Sequence, residues 1–454
     1  MKKRLLALVM AGLMVISLSA CKTAKEDSPT ADEKPTPTEA LSADKETEKE
    51  AKNDTEKETE LPRRNVTITM LNSKPEITDA LKVAALDYES KTGVKIDISE
   101  TSDAGSYLTT AYAGGDVPTL SIVSETQIRD YYEYCISLND EKWVEDAGDL
   151  MVRFGDNDVY AYPLTIESKC VLFNKTAIER TIGREFNPAD YLTYTDFKLL
   201  VEELVEKGME TPLLLNSDDW SIGNHVLSAL YSAYDNTKAG AAAILKKVSA
   251  GETSFSELAN FNSVIDVIEL FKDYNINRND PLAADYDLNC AYFAEGDVAF
   301  WINGTFVWAD MEEYVNGDEY GVMPYPTNNN DTAKGKIVSG VTKWIIIDGT
   351  YSTEEQQQAA KEFLTWLSYT EEGQKLMVDD CGLVPALSSI TRTASNDLNA
   401  SLQKYIQSGD TMCSWSDYPS DHRSSLSGYM QMFLADTITR DQLVTHLDEY
   451  WRAH

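Results

Sequence analysis

The chain has few of the motifs from which most enzyme active sites are built. Only four of its 454 residues are histidine, and none stands in the H-E-x-x-H frame of a zinc peptidase. It has no G-x-S-x-G elbow, no phosphate-binding glycine loop and no G-x-G-x-x-G after a strand. The 75 Asp and Glu residues leave a glycosidase pair possible. These absences predict a protein that is not an enzyme and that has no cofactor and no metal.

Cysteine is also scarce, and it forms no C-x-x-C pair or metal-ligand spacing. After Cys21 the chain contains five cysteines, which are Cys135, Cys170, Cys290, Cys381 and Cys413. An odd number leaves at least one thiol free or paired with another chain. Most of them are expected to be small buried apolar residues.

The chain has few basic residues relative to acidic ones, with 40 Lys and Arg against 75 Asp and Glu, and its formal net charge is −35. Residues 1–64 contribute only about −1 of it, so nearly all the excess lies in the remaining body. Such an acidic surface repels nucleic acid and anionic lipid head groups, and it argues against anionic ligands.

The amino terminus has the pattern of an export signal. Lys2, Lys3 and Arg4 precede an apolar run over residues 5–18. This run is shorter than the roughly 20 residues that a membrane-spanning helix needs. The run ends in Leu-Ser-Ala-Cys21, which resembles the lipobox of bacterial lipoproteins and predicts a lipid on Cys21. The alternative is an ordinary cleavable signal followed by a coincidental cysteine.

Residues 22–64 are predicted to be a tether. They contain no aromatic residue, four prolines and alternating Glu and Lys. Such a segment buries too little apolar surface to offset the entropy lost on ordering, and it stays extended. A lipid anchor with a long polar spacer fits the membrane surface of a Gram-positive cell, with a periplasmic location as the alternative.

The body that follows alternates strand and helix patterns. Residues 66–71 predict a buried strand, 77–91 an amphipathic helix and 94–98 the next strand. This β-α-β unit implies a parallel sheet, and the class is α/β. Ligands of open α/β sheets bind beyond the carboxyl ends of the strands, so the loops at 72–75 and 124–128 are the candidate rim of a cleft.

Four further segments carry motifs in a fixed order. Tyr112–Pro118 is close to A-x-G-x-x-P-D, with Thr119 in place of the aspartate. Residues 160–175 and 338–340 are similar to two crossings between lobes, and Phe293–Gly304 is similar to F-x-x-G-x-A-A-M-x-x-x-G. In this order the motifs resemble those of family 1 sugar-binding proteins of bacterial ABC importers, especially the maltose/maltodextrin-binding type.

The resemblance implies a two-lobed periplasmic-binding-protein-like fold of type II, with the ligand cleft between the lobes. The first lobe is expected to comprise 65–170 and about 303–340, and the second 171–302 and about 341–454. The implied function is capture of an oligosaccharide by a monomer and its delivery to ABC permease subunits. Malto-oligosaccharides are slightly favoured, although Val123 stands where maltose binders often carry an aromatic residue.

Sugars have apolar faces ringed by hydroxyls, so their sites combine aromatic platforms with planar hydrogen-bonding groups. By resemblance, the ligand contacts expected in the first lobe and the first crossing are Asn72, Lys74, Glu125, Gln127 and Glu167. The other expected ligand contacts are Asp219, Trp220, Phe306, Trp344, Trp415, Tyr418 and Arg423. Trp344 could equally pack in the sheet, and at least one of the last three should touch the ligand.

Other functions stay open at this point. The cargo could be a peptide, a polyamine or a metal instead of a sugar. The chain could be a lipid-tethered surface glycosidase or esterase, or an adhesin or signalling ectodomain that keeps the fold without transport.

Overall fold

A computed structural model of the chain describes residues 63–328 and 330–454. The export signal, Cys21 and nearly all of the tether lie outside these residues. The described part contains nine strands: β1 (Val66–Asn72), β2 (Val94–Glu100), β3 (Leu120–Val123), β4 (Ala161–Asn174), β5 (Leu213–Leu215), β6 (Phe300–Asn303), β7 (Tyr320–Met323), β8 (Ile337–Ile347) and β9 (Thr411–Cys413).

Sixteen α-helices, counted over the same residues, connect and cover the strands. The first eight are α1 (Thr78–Thr92), α2 (Ala104–Gly114), α3 (Glu125–Tyr131), α4 (Trp143–Ala147), α5 (Lys175–Ile182), α6 (Tyr194–Glu206), α7 (Leu227–Ser232) and α8 (Lys238–Ser249). The others are α9 (Ala259–Asp273), α10 (Tyr286–Glu295), α11 (Trp308–Met311), α12 (Glu354–Tyr369), α13 (Glu371–Lys375), α14 (Asp397–Ser408), α15 (His422–Leu434) and α16 (Arg440–Ala453).

The predicted β-α-β unit is present at the start of the body. The apolar stripe of α1 is buried against the sheet, as its 3.6-residue period predicts. Gly93 ends this helix with φ +77°, and an added Cβ would lie 2.3 Å from the carbonyl oxygen of Arg64, so only glycine fits. β1 pairs in parallel with both β2 and β3, which confirms the parallel sheet.

Two long strands join the lobes. In the first lobe the strand order is β2-β1-β3-β8-β4, and β8 is antiparallel to both of its neighbours. β4 then continues into the second lobe, where its residues 170–174 pair with β6 on one side and β7 on the other. β5 completes this second sheet in parallel with β6. The predicted α/β class and two-lobed fold are confirmed.

The division of the chain between the lobes differs from the expectation after residue 303. β7 lies in the second lobe's sheet, and Val307 and Met311 share its core, although 303–340 was assigned to the first lobe. Conversely, α12 and Leu387 pack in the core of the first lobe, although 341–454 was assigned to the second. The sequence motif predicts where the chain crosses between the lobes. Which lobe contains the segments before and after the crossing depends on which strands pair with each other.

Two further features concern the helices and the cysteines of the described residues. None of the helices in the described part combines the length and apolarity that a membrane crossing requires. All five cysteines after Cys21 are free thiols, and four of them are buried, as expected for small apolar residues.

Candidate functional site

A cavity of about 660 Å³ lies between the lobes, where β1 and β3 reach their carboxyl ends. Its volume falls within the ~300–1,000 Å³ that is typical of small-molecule sites. The first lobe contributes Ser73 and residues 124–127, which are in the two loops predicted as the rim. Glu167, Lys169 and Lys343 on β4 and β8 also line it. The second lobe contributes the turn that follows β5 and the loop before α15.

Half of the residues predicted to contact ligand line this cavity. They are Glu125, Gln127, Glu167, Trp220, Tyr418 and Arg423. Three others lie close to it. Lys74 and Phe306 line an adjoining cavity of about 170 Å³ that shares Glu167 with the first. Asp219 accepts two hydrogen bonds from the guanidinium of Arg423, at 2.7 and 3.0 Å.

Asn72, Trp344 and Trp415 are not at the cavity, and their predicted ligand contacts are corrected here. Asn72 is fully buried, and its amide donates to the Lys74 carbonyl and the Thr78 hydroxyl, so it holds the loop in shape. Trp344 is 1% exposed and packs in the hydrophobic core of the first lobe, and Trp415 is 3% exposed and packs in that of the second lobe. Successive residues of an extended chain point to opposite faces, and the neighbours of both tryptophans line the cavity instead.

An ion-pair network surrounds Glu167. The Lys74 Nζ lies 2.6 Å from a carboxylate oxygen of Glu167 and 2.6 Å from one of Glu76. Burial alone would raise the pKa of Glu167, but Lys74 outweighs it and lowers the pKa to about 2. Burial alone would lower the pKa of Lys74, but the carboxylates of Glu167 and Glu76 outweigh burial and raise it. Glu167 is therefore a fixed carboxylate that can accept hydrogen bonds.

Lys169 and Lys343 were missed by the sequence reasoning. The Lys169 ammonium donates to the hydroxyls of Ser228 and Ser414 at 2.9 and 3.0 Å. The Lys343 ammonium donates to the carbonyl and hydroxyl of Ser73 at 3.1 and 3.0 Å. Burial lowers the pKa of each to about 8. Lys169 was predictable from the sequence. It is two residues after Glu167 in a strand, so both side chains lie on the same face of the sheet.

Asn224 and His225 were missed as well. Both line the cavity from a π-helical turn over Ser221–Val226, a rare conformation that is frequent at functional sites. The Asn224 Oδ1 and the His225 Nδ1 are buried and have no hydrogen-bond partner within the described chain. Burial lowers the pKa of His225 to about 3, so the ring is neutral. A buried polar atom without a partner is costly, so these two atoms are candidates for hydrogen bonds with a ligand.

Trp220 is the tryptophan among the residues that line the cavity. It is half-buried at the end of the loop after β5 and lines the cavity. The rings of His225, Tyr286 and Phe306 meet it edge-on, with centroids 5.3, 5.5 and 5.9 Å away. These contacts fix the plane of the indole, and its partial exposure leaves part of the ring available to a ligand.

Comparison with known proteins decides the family. A family profile described as bacterial extracellular solute-binding protein matches residues 84–410. The chain belongs to this family. The family predicted from the motif order is thereby confirmed at the level of solute binding, and its members are binding proteins.

Solved structures of solute-binding proteins have the same fold. The solute-binding protein RafE in complex with raffinose superposes with a TM-score of 0.67 at 17% identity, over 85% of this chain and 99% of that one. A sugar transporter protein from Bacillus licheniformis in complex with stachyose gives 0.64 at 18%, over 85% and 99%. Maltose-bound MalE3 of T. maritima gives 0.63 at 13%, over 86% and 99%. At these identities the likeness establishes the fold.

Two ion pairs connect the lobes of this solute-binding protein beside the cavity. Both start from α3 in the first lobe. Glu125 accepts from Lys238 of α8 at 2.8 Å, and Arg129 donates to Asp417 at 2.6 Å. Because each pair has at least one exposed partner, each contributes only about 0–1 kcal/mol to holding the lobes together.

Metal ligands do not cluster in the described residues. Nowhere in 63–328 or 330–454 do three His, Cys, Asp or Glu side chains come together in a way that could hold a metal ion.

Proposed function

We propose that this solute-binding protein captures an oligosaccharide outside the cytoplasm and delivers it to the permease subunits of an ABC importer. In this proposal the lipid on Cys21 anchors a monomer to the cell membrane, and residues 22–64 hold the binding lobes away from it. Raffinose, stachyose and maltose in related folds all support a sugar as the cargo. Malto-oligosaccharides are one candidate beside the raffinose series.

The observation that carries the proposal is the pairing of Trp220 with unpartnered polar atoms in one cavity. An exposed indole face suits the apolar face of a pyranose ring. The Asn224 Oδ1 accepts hydrogen bonds, the His225 Nδ1 donates or accepts according to tautomer, and Glu167 accepts at a fixed position. Sugar hydroxyls both donate and accept, so a single sugar ring can satisfy this set.

Two alternatives fit the cavity less well. A polyamine would bring its positive charge beside Lys169 and Lys343, and neither of these faces a carboxylate partner within 4 Å in the described chain. A glycosidase needs a carboxylic acid that is protonated at working pH. Glu167 cannot serve as that acid, because Lys74 holds its pKa at about 2.

Calorimetric titration of the purified protein with raffinose, stachyose and maltotriose tests the proposal. We expect saturable one-to-one binding of at least one of them. Chromatography of the recovered sugar should show it unchanged, which separates binding from hydrolysis. Binding of spermidine but of no sugar, or turnover of any sugar, would show the proposal to be wrong.

A further inference from the structure

Three carboxylates and three cations line the cavity, but not all of them have an ion-pair partner. Glu125 and Glu167 are each engaged by a lysine, Lys238 and Lys74 respectively. Arg423 is engaged by Asp219. The third carboxylate, Asp103, accepts from the backbone amide and the hydroxyl of Ser106, which leaves two ammonium groups on the strands that cross between the lobes.

Lys169 and Lys343 are those two cations, and both are short of acceptors. An ammonium has three N–H donors, and each of these makes two hydrogen bonds to serine oxygens. Among the described residues neither has a carboxylate within 4 Å. Buried lysines are almost always paired, because an isolated buried charge is expensive.

Glu167 does not supply the missing anion. Its carboxylate lies between the two lysines along β4, since Lys343 is opposite Thr165 and Lys169 is two residues beyond Glu167. It attracts both at a distance, but its direct ion pair is with Lys74. Glu76 also pairs with Lys74, so among the described residues Lys169 and Lys343 are left as the two cavity cations without a direct ion pair.

We infer that the cargo is an acidic oligosaccharide whose carboxylate groups bind to Lys169 and Lys343. This rests on the proposed function and names the class of sugar. Thr165 and Lys169 are four residues apart, roughly 13 Å along the strand. Two separated single charges match uronate units along a chain better than one phosphate dianion, which would need both cations on the same group.

The physical support comes from the lysines themselves. Burial lowers the pKa of each to about 8, so at that pH both are partly neutral in the empty protein. A carboxylate bound beside them favours the charged form and raises the pKa. Binding of an acidic sugar near pH 8 must therefore take up protons, whereas binding of a neutral sugar leaves the lysines as they were.

The test compares acidic sugars with carboxyl-reduced counterparts. The probes are trigalacturonate, trimannuronate and the hyaluronan tetrasaccharide, each titrated beside the neutral sugar made by reducing its carboxylates. We expect at least one acid to bind ten- to a hundredfold more tightly than its neutral counterpart, because charge-assisted hydrogen bonds to buried groups are strong. Calorimetry at pH 8 in buffers of different ionisation enthalpy should show proton uptake for that acid alone.

Variants assign the effect to residues. Lys169→Gln and Lys343→Gln should each reduce the ratio of acid affinity to neutral-sugar affinity about tenfold or more. Lys198→Gln is the matched control, because this exposed lysine lies on α6 outside the cavity. Proton uptake by the unmodified protein serves as the readout if a variant does not fold.

The outcomes separate this inference from the proposed function. If neutral sugars bind and no acid is preferred over its reduced form, the two ammonium groups only tie β4 and β8 to the serines beside them, and the inference is wrong. If no sugar of either kind binds, the proposed function is wrong as well.

Discussion

Replacing Trp220 with alanine should separate binding from folding. Removing a stacking platform loses both the aromatic geometry and the apolar area that the sugar buries, a loss of about 1–3 kcal/mol. Affinity should therefore fall about ten- to a hundredfold. Trp220 is only half-buried and meets three rings edge-on, so the free energy of unfolding of the apo protein should fall by about 1–2 kcal/mol.

The matched control is Trp143→Ala. Trp143 is 1% exposed in the core of the first lobe, away from the cavity, so its removal should cost about 3–5 kcal/mol of stability. Its affinity for sugar, measured where the variant is folded, should match that of the unmodified protein. Calorimetry and denaturant unfolding of both variants give the two quantities. Normal sugar binding by Trp220→Ala, or a stability loss as large as that of Trp143→Ala, would refute the assignment of Trp220 to the ligand.

Three other perturbations have defined outcomes. Changing Glu125 and Arg129 together to glutamine removes both of the ion pairs described between the lobes. Small-angle scattering of the apo protein should then show a larger radius of gyration. An unchanged radius would mean that the pairs do not hold the lobes together. Glu167 has a pKa of about 2 in the folded protein against 4.5 ordinarily, so its stabilisation is present above 4.5 and lost as the pH falls toward 2. The apo protein should lose more stability over that range than Glu167→Gln, and equal losses would contradict the Lys74 pairing. Cys21→Ala should release the protein from the membrane with sugar affinity unchanged, and retention at the membrane would contradict the lipid anchor.

The local structure was largely predictable, because it depends on residues close together in the chain. The apolar stripe of α1 and the β-branched run of β1 were predicted within two residues of their bounds. The assignment of 303–340 and 341–454 to lobes was not predictable in the same way. It depends on β8 pairing with β3 and on β7 pairing with β4, contacts between segments far apart in sequence.

The site was partly predictable for a related reason. Position in a motif selected Trp220, which lines the cavity, yet it also selected Trp344, whose side chain is on the opposite face of β8 from Lys343 and packs in the core. Alternation along β4 contained the signal for Lys169. His225 had no such signal, because no pattern in the sequence around it predicts the π-helical turn that brings it to the cavity.

A crystal structure of the protein with the tightest-binding sugar of the panel tests the central claim most directly. The account predicts the sugar between the lobes, with a pyranose ring within about 4 Å of the Trp220 indole face. It also predicts hydrogen bonds from the sugar to Asn224 and His225. A sugar bound outside the cavity between the lobes, or inside it without contact to Trp220, would contradict the account.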